Sequence, residues 1–558
     1  MPSLPPTVSF DSLKVVAGLA FATHLLVQLA EPMVTHFLAA YLSVLFTYIL
    51  FQSFSAGFPL SSSILGALLL ATTYNVVIFS SIGVYRLFLH RACKFPGPAS
   101  LALSKWAFVP SDAVGQRPQK TDELHKQYGD IVRVGPREIS INDPTALPAI
   151  MGFSAPTIKG PWYYVAHTDN HPRSCSLHTC IDPALRKLRR KIWDPAFSIR
   201  ALQEYENQIR TTTNETMDQL AARSEKNETI PVDQWAMYFA FDIMGQLGFS
   251  KGFGLVQLGT LSKPIHLLEE AMQAFMTLGC VSWLAPLTRL LPNPIKSFED
   301  YCQEAVDERK MNGGKHADIM SYLLAEDKET GVKHTPEEIK ADSGLIIVAG
   351  SDTSSSSLSM AIYLLLQHPE CLRKAREEVD SIFEGQEVND FEALKKCVYL
   401  TACLNEAMRL FPPVASGLQR EIPSNSSPVV ASLRNGEKVI IPPGMVVTFP
   451  TYSVHRDPRN FSPAPEKFRP ERWVNPEKEI AFNKNAFLAF GHGPTSCIGK
   501  NLAWMEMRCF LASFIKRFDG KLDDSFDDAA FQAGIKDTFT MTRTKPLMVK
   551  LVERPASS

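Results

Sequence analysis

Cys497 stands in a glycine-rich segment near the C-terminus, Phe490-Gly-His-Gly-Pro-Thr-Ser-Cys-Ile-Gly499. Gly493 and Gly499 allow tight main-chain turns around the thiol, and the apolar pattern of residues 500–510 predicts a helix directly after it. Backbone N–H groups and a helix N-terminus lower the pKa of a nearby thiol. A thiolate presented in this way is a strong axial ligand for haem iron. The alternative is an ordinary buried cysteine in a turn.

This segment resembles the haem-binding loop of the cytochrome P450 monooxygenases, which follows the pattern FxxGxRxCxG. The resemblance implies that Cys497 is the axial ligand of the iron of haem b and that Phe490 covers the sulfur. It also implies that Gly493 and Gly499 shape the loop that carries the cofactor. Thr495 departs from the pattern, since the family has a basic residue there that binds a haem propionate. A hydroxyl can hydrogen-bond to a propionate but cannot neutralise it, so we expect other cations to compensate.

A second candidate site, Ala349-Gly-Ser-Asp-Thr353, lies inside a helix predicted for residues 341–366. A helix interior is an unfavourable place for a glycine, an acid and the serines that follow, which indicates a functional reason for them. The pentapeptide resembles the family pattern [AG]Gx[DE]T. The resemblance implies a local distortion of the helix, with Thr353 donating a hydrogen bond to bound oxygen and Asp352 feeding protons from solvent. The alternative is a polar contact between packed helices.

Glu406 and Arg409 lie three residues apart on a helix predicted for residues 394–410, where their side chains can pair. Most such pairs are solvated surface charges, but this helix is otherwise apolar. Arg472 lies in Phe-Arg-Pro-Glu-Arg-Trp, which resembles the second arginine segment of the family. The resemblance implies a buried triad of these three residues that holds the cysteine loop in place and takes no part in the chemistry.

Arginines are candidates for binding the two haem propionates, because the guanidinium fork matches a carboxylate. Arg186 and Arg190 lie on one predicted helix that resembles the propionate-binding helix of the family, with Arg190 the better match. Arg420 aligns with a further propionate donor. Together with His492 or His455, these residues would compensate for the missing basic residue in the cysteine loop. The alternative for each arginine is a solvated basic face.

The pattern of the remaining chain indicates a mainly α protein with a small β region. Short alternating runs at residues 130–134 and 438–441 predict strands. The resemblance implies a cytochrome P450 fold preceded by N-terminal transmembrane helices. Apolar residues at helical spacing predict further helices at residues 199–223, 267–278 and 499–518.

Three apolar runs occupy the N-terminal part of the chain, at residues 15–30, 33–51 and 64–89. The second and third meet or approach the length that crosses a bilayer, whereas the first is short and is bounded by Lys14 and Glu31. We therefore expect residues 1–92 to be a membrane anchor with two to three transmembrane segments. A cleavable signal peptide is the alternative for the first run, although no strong positive cluster precedes it.

Basic residues follow the third apolar run, which by the positive-inside rule leaves the rest of the chain in the cytosol. Two prolines at residues 96 and 98 then predict a stiff extended tether. We expect residues 93–558 to form the haem-thiolate catalytic domain, held at a membrane that the resemblance implies is the endoplasmic reticulum.

The composition excludes other classes of protein. The 558 residues include 57 basic and 58 acidic ones, so no global field attracts nucleic acid. Ten cysteines without CxxC pairs argue against a disulfide framework or a structural zinc site.

The resemblance implies a monooxygenase that inserts one atom of O₂ into a lipophilic small molecule, such as a terpenoid secondary metabolite. Electrons would come from NADPH through a membrane-bound flavoprotein reductase that docks near Lys500 and residues 186–191, since no flavin or nicotinamide domain is apparent. One alternative is a haem-thiolate enzyme that rearranges or dehydrates its substrate or uses peroxide, although such relatives commonly lose the distal acid and threonine. A second alternative is a non-catalytic membrane haem binder.

Overall fold

The computed structural model describes residues 5–29, 34–165, 173–261, 266, 272, 279, 281–288, 290, 292, 293, 295–314, 317–326, 331–384 and 386–555. The chain divides into two compact units. The first comprises Met1–Ala107, Arg133–Glu138 and Val281–Pro292, and the second comprises Phe108–Val132, Ile139–Cys280 and Asn293–Ser558.

Helices make up most of the described chain, which confirms the predicted mainly α fold. Those of eight residues or more are α1 Phe10–Leu29, α2 Val34–Leu50, α3 Leu60–Val84, α4 Arg117–Tyr128, α5 Pro183–Trp193, α6 Ile199–Ser224, α7 Val232–Phe249, α8 Lys296–Asn312, α9 Pro336–Gln367, α10 Pro369–Ile382, α11 Val398–Leu410 and α12 Lys500–Arg517. Shorter helices are Ala99–Leu103, Val109–Ala113, Leu147–Met151, Leu255–Leu258, Ala285–Thr288, Ile319–Leu324, Phe391–Leu394, Thr451–Arg456, Glu471–Val474 and Asp528–Ala533.

The strands are short and form small sheets. They are β1 Ile131–Gly135, β2 Glu138–Ile141, β3 Ile158–Lys159, β4 Thr229–Pro231, β5 Arg420–Glu421, β6 Val429–Ser432, β7 Lys438–Ile441, β8 Val446–Thr448, β9 Phe461–Ser462, β10 Ala481–Phe482, β11 Phe518–Leu522, β12 Ile535–Thr538, β13 Thr540–Arg543 and β14 Met548–Glu553. The largest sheet has the order β1-β2-β8-β5-β3, and β11-β14-β4 form another. The remaining pairs are β6-β7, β9-β10 and β12-β13.

The first unit contains three apolar helices that are long enough to cross a membrane, over Phe10–Gln28, Val34–Ser55 and Leu60–Leu89. Both α1 and α2 pack against α3. The sequence suggested that the first apolar run is short, but α1 begins at Phe10 and spans 20 residues. Lys14 does not limit the helix, since its ammonium pairs with the Asp11 carboxylate in the first turn, at 3.0 Å.

The predicted helices of the second unit agree with the structure at residues 199–223, 341–366, 394–410 and 499–518, which correspond to α6, α9, α11 and α12. The helix predicted at 267–278 lies outside the described residues, apart from Met272. The predicted strand at 438–441 is β7, in which exposed and buried residues alternate, and the strand predicted at 130–134 is β1.

The long helix α9 organises the second unit. It begins at a capping box, in which Thr335 N–H donates to the Glu338 carboxylate (2.9 Å) and Glu338 N–H donates to the Thr335 hydroxyl (3.3 Å). α9 packs against α7, α8, α11 and α12, and most of its residues from Ser351 onward are buried. Helix α9, which carries Asp352 and Thr353, therefore packs firmly against α12, the helix that follows Cys497.

Candidate functional site

A cavity of about 690 Å³ lies within the second unit. Its walls come from α5, one face of α9, the loop between α11 and β5, the segment that precedes α12, and the turn between β12 and β13. Most lining side chains are apolar or aromatic, and the rings of Trp162 and Phe539 stack in its wall with centroids 4.7 Å apart. Cys497, Phe490 and Thr353 all line it, so the structure brings the two candidate motifs to one space.

The main chain around Cys497 is fixed independently of the cysteine side chain. Cys497 N–H donates to the Phe490 carbonyl at 2.8 Å. Gly493 has a φ of 67°, and a Cβ there would lie 1.8 Å from the Met151 carbonyl oxygen, so only glycine fits. Gly499 is the N-cap of α12, and its N–H and that of Lys500 hydrogen-bond to the thiol.

Cys497 is accessible from the cavity, while protein atoms surround the site on its other sides. Burial raises the pKa of the Cys497 thiol, and the two N–H groups, Arg190 and Lys500 oppose that rise without cancelling it. The N–H groups thus act to lower the pKa, as the sequence predicted, but burial outweighs them and the net pKa is raised. A metal ion displaces the proton of a coordinating thiol, so a raised pKa is compatible with iron binding.

Helix α9 runs through the candidate oxygen site without the expected distortion, since residues 336–367 form one continuous α-helix. The Thr353 hydroxyl donates to the Ala349 carbonyl at 2.8 Å. Gly350 has a packing role, because a Cβ there would lie 2.3 Å from the Met244 sulfur on α7. Asp352 lies behind the wall, where its carboxylate accepts from the Thr540 hydroxyl (3.4 Å), a residue that does line the cavity.

Glu506 is a cavity residue that the sequence analysis missed. It lies on α12, is 1% exposed, and accepts a hydrogen bond from the Ser354 hydroxyl at 3.1 Å. Its other carboxyl oxygen has no hydrogen-bond partner among the described residues. Burial raises the pKa of Glu506 to about 8, so this acid holds its proton at neutral pH. An acid among the buried Leu502, Met507 and Phe510 was the available signal.

We expect Glu506→Gln to remove a pH dependence of stability. Between the ordinary value of 4.5 and about 8, the unfolded carboxyl is ionised while the folded one keeps its proton. Stability of the native chain should therefore fall as pH rises across this window, by up to about 1.4 kcal/mol per pH unit. Thermal unfolding of both proteins at pH 5.5 and pH 8 measures the difference. The exposed Glu387→Gln should keep the native slope, and an equal slope in Glu506→Gln would contradict the assignment.

Glu406, Arg409 and Arg472 meet with no solvent exposure of their side chains. The Glu406 carboxylate accepts from Arg409 Nε and Nη2, both at 2.8 Å, and from Arg472 Nε at 3.0 Å. Trp473 Nε1 (2.8 Å) and Arg469 N–H (3.1 Å) complete its shell. Every acceptor position of this buried carboxylate is therefore used.

The triad reaches the cysteine loop through His455, which is buried and does not line the cavity. Arg409 Nη1 donates to the His455 carbonyl at 2.7 Å. Leu488 N–H donates to His455 Nε2 (2.8 Å), which places the ring proton on Nδ1, facing the Arg409 carbonyl (3.1 Å). Burial, with the Arg409 charge beside it, lowers the pKa of His455 to about 3 and keeps the ring neutral. His455 is thus a connector and not a propionate donor, while His492 lies in the cavity wall.

Four cations line the cavity near the cysteine loop. Arg186 Nη1 donates to the Pro494 carbonyl and Arg190 Nη1 to the Ser496 carbonyl, both at 3.3 Å. Arg420 donates to the Thr495 hydroxyl. Lys159, which the sequence analysis missed, donates to the Leu177 (3.1 Å) and His178 carbonyls. The register of β3 on β5 places it directly opposite Arg420.

Lys159, Arg186 and Arg420 form no ion pair with any described carboxylate, whereas Arg190 also binds Asp194 at 2.6 Å. Burial, with Arg186 and Arg420 nearby, lowers the pKa of Lys159 to about 7. Buried cations without acid partners are costly, and they indicate an anionic ligand. A thiol donor, a glycine cradle and these cations together fit a haem with its two propionates. Among the described residues no cluster of three or more His, Cys, Asp or Glu side chains offers a metal site.

Comparison with known proteins gives a consistent result. The family model "Cytochrome P450" matches residues 97–550. The chain is 34% identical over 484 residues to the cytochrome P450 monooxygenase FCK2 of Fusarium pseudograminearum, covering 85% of this chain and 84% of the relative. It is 35% identical over 454 residues to monooxygenase nodW of Hypoxylon pulicicidum, covering 80% of each. It is 31% identical over 482 residues to the tryprostatin B 6-hydroxylase of Aspergillus fumigatus, covering 85% of this chain and 83% of that relative.

Proposed function

Because the chain belongs to the cytochrome P450 family and is a haem-thiolate monooxygenase, we propose that it uses NADPH and O₂ to oxidise a lipophilic small molecule, a secondary metabolite such as a terpenoid. The observation that carries this proposal is the apolar cavity of about 690 Å³ with Cys497 in one wall and Thr353 in another. Apolar and aromatic walls favour a ligand of matching chemistry.

When bound, haem supplies the chemistry that activates O₂ and inserts one oxygen atom into the substrate. The Cys497 sulfur would hold the iron, and Gly493, which passes close to the Met151 carbonyl, and Gly499 would shape the loop that carries the cofactor. The Thr353 hydroxyl, anchored on the Ala349 carbonyl, presents its oxygen to the cavity. Asp352 passes protons inward through the Thr540 hydroxyl, which contacts its carboxylate and borders the cavity.

The propionates would be held by Arg186, Arg190 and Arg420, as proposed from the sequence, with Lys159 added. These cations already surround the position of Thr495, so we expect Thr495→Arg to leave haem retention unchanged. Lys159→Met replaces a buried cation with a neutral side chain of similar length, and it should weaken haem retention about 10-fold or more. Transfer of haem to an excess of apomyoglobin measures both. A large gain in Thr495→Arg would show that the native set of cations is insufficient.

The electron donor would be an NADPH-dependent flavoprotein reductase that docks on the cysteine side of the domain. A groove of about 430 Å³ lies there beside Phe490, and Lys395, Lys484, Lys500 and Arg508 line it. The Lys500 ammonium lies 5.6 Å from the centre of the Phe490 ring, and Arg508 lies over Trp504 at 4.8 Å. These cations suit an acidic partner surface, together with Lys187 and Lys191, the exposed members of the basic run predicted at residues 186–191. Arg189 does not contribute to this surface, because it is buried and paired with Asp342.

We further propose that residues 1–92 anchor the enzyme in the endoplasmic reticulum and that residues 93–558 form the cytosolic catalytic domain. The three apolar helices support this proposal, as do the basic residues after the third. In the predicted tether Pro98 is extended, and the Pro96 carbonyl accepts a hydrogen bond from Arg133 N–H at 2.7 Å. The residues just before Pro96 form hydrogen-bonded turns.

Thr353→Ala tests the proposed reaction. We expect NADPH consumption to continue with the reductase present, while product formation on a compound selected from a terpenoid panel by spectral shift falls about 100-fold. Ser357→Ala is the matched control, because Ser357 lies one turn further on α9 and its hydroxyl also donates to a helix carbonyl, that of Thr353 (2.8 Å). Product formation without NADPH consumption would favour the isomerase or dehydratase alternative. Haem binding without any turnover would favour the non-catalytic one.

A further inference from the structure

A single residue, Phe539, connects β12 to β13 at the edge of the cavity. The strand register pairs Thr538 with Thr540, so the turn between the strands consists of Phe539 alone. Its φ is 82°, a left-handed conformation that bulky side chains rarely adopt, and a tight turn centred on such a residue is strained. A strained conformation persists only where neighbouring groups hold it. The contacts around Phe539 must therefore fix it in place.

Asp537 supplies two of these contacts through its buried carboxylate. Oδ1 accepts a hydrogen bond from the Phe539 N–H at 3.2 Å, and Oδ2 accepts one from the Ser416 hydroxyl. Ser416 lies in the loop between α11 and β5, and the two residues that follow it line the cavity. The Asp537 N–H donates to the Gly115 carbonyl at 2.9 Å, which fixes the acid itself. The carboxylate thus joins the tip of the hairpin to a second wall of the cavity.

The Phe539 ring forms part of the surface that a ligand meets. It stacks on the Trp162 ring with centroids 4.7 Å apart and planes 14° apart, and the His178 ring meets it in a T-shaped contact at 5.5 Å. All three side chains line the cavity. The Trp162 N–H donates to the Gln419 side-chain carbonyl at 3.1 Å, so Trp162 is anchored separately. A shift of the hairpin tip would therefore change the shape of an aromatic wall.

We propose that Asp537 is a positioning residue, whose carboxylate keeps the Phe539 ring in the cavity wall so that the fit of a bulky ligand depends on an acid that does not touch the ligand. Asp537 does not line the cavity and acts through Phe539 and Ser416. The inference rests on the proposed function in one respect, since it takes this cavity to be the place where the substrate binds.

The protonation state of Asp537 decides whether its carboxylate can hold both partners. Burial raises the pKa of this carboxyl to about 6, while the Ser416 hydroxyl and the Phe539 N–H oppose the rise. Arg117 opposes it too, whereas Asp112, with which Arg117 pairs at 2.6 Å, adds to it. Above that pH the group is ionised and both oxygens accept hydrogen bonds. Below it one oxygen carries a proton and no longer accepts from its partner, so the wall should be looser in acid.

Binding of clotrimazole to the haem-loaded, full-length protein tests the proposal, because this azole ligates iron and carries bulky aryl groups that can reach the wall. Its dissociation constant is read from the shift of the haem absorption band. We expect Asp537→Asn to weaken binding about 10-fold at neutral pH, with native haem content. Imidazole, which ligates iron but is too small to reach the wall, should bind both proteins equally. At about pH 5 the native protein should bind clotrimazole no better than Asp537→Asn, since its carboxyl is then protonated.

A double variant shows whether Asp537 acts through Phe539. Phe539→Leu should weaken clotrimazole binding at least as much as Asp537→Asn, and the double variant should lose no more than Phe539→Leu alone. Ser416→Ala, which removes one partner and leaves the acid, should give a smaller loss in the same direction, and it applies even if Asp537→Asn loses haem. Asp528→Asn is the matched control, because Asp528 accepts from the Tyr363 hydroxyl at 2.5 Å and neither residue lines the cavity. It should bind clotrimazole as the native protein does.

Several results would overturn the proposal. These are additive losses in the double variant, native-like clotrimazole binding by both Asp537→Asn and Ser416→Ala, or an equal weakening of imidazole, which would place the damage at the haem. A difference between native protein and Asp537→Asn that is as large at about pH 5 as at neutral pH would overturn it as well. These measurements use no reductase, NADPH or substrate. Their failure therefore leaves the proposed monooxygenase function standing, and an absence of turnover leaves the azole result readable.

Discussion

Replacing Cys497 with serine is expected to abolish monooxygenase turnover completely while the chain still folds. Serine offers a hard hydroxyl that does not deprotonate at neutral pH, so the iron loses its anionic sulfur donor. The loop should keep its shape, because Cys497 is held by its own N–H on the Phe490 carbonyl and by glycines on both sides. The absorption spectrum of the reduced, carbon-monoxide-bound protein measures the loss of thiolate ligation directly.

Cys509→Ser is the matched control for this experiment. Cys509 lies on α12, the helix that follows Cys497, but it is fully buried and its thiol contacts the Thr213 hydroxyl at 3.5 Å, away from the cavity wall. It should retain both the thiolate spectrum and turnover. If Cys497→Ser kept a thiolate spectrum, another of the ten cysteines would have to be the ligand, and the cavity that Cys497 lines would not be the haem site.

Features that depend on neighbouring residues could be predicted from the sequence. The cysteine loop is one, because its cysteine and its glycines lie within ten consecutive residues. The positions of α6, α9 and α12 are another, since their apolar faces repeat at helical spacing over many turns. The strand β7 was also predictable, because exposed and buried side chains alternate along it.

Features that depend on distant contacts could not be predicted in this way. Lys159 becomes part of the site only because β3 pairs with β5, which sets it opposite Arg420. Glu506 becomes a buried acid because α12 packs on α9, where Ser354 is 152 residues away in sequence. The raised pKa of Cys497 has the same origin, since the burial that causes it comes from the whole cavity wall.

The sequence also does not show which of two adjacent residues on a helix is buried and which faces the cavity. Arg189 and Arg190 are neighbours in the chain, yet successive side chains on a helix point about 100° apart. Arg189 is fully buried and pairs with Asp342, which also accepts from Trp193 Nε1 at 3.0 Å. Arg190 reaches the cavity instead. Only packing decides which of the two arginines is structural and which faces the ligand.

Glu406→Ala is expected to give protein that does not retain haem, with a loss of about 3–5 kcal/mol in stability. Glu406 accepts hydrogen bonds from two buried arginines and an indole. Its removal leaves Arg409 without a described carboxylate partner and Arg472 with only the Glu479 carboxylate, at 3.4 Å. Because Arg409 and His455 connect this carboxylate to Leu488, the damage should reach the cysteine loop. Haem content per chain and the thermal unfolding midpoint measure the two effects.

The variants of this network separate its charge from its shape. Glu406→Gln keeps the acceptor but not the charge, so we expect an intermediate loss. Arg373→Ala, which breaks exposed pairs with Glu370 and Glu377, should change little. If the penalty in Glu406→Ala comes from stranded arginines, the double variant Glu406→Ala/Arg409→Ala must lose less than the sum of the single losses. Additive losses, or normal haem content in Glu406→Ala, would mean that the triad does not hold the loop.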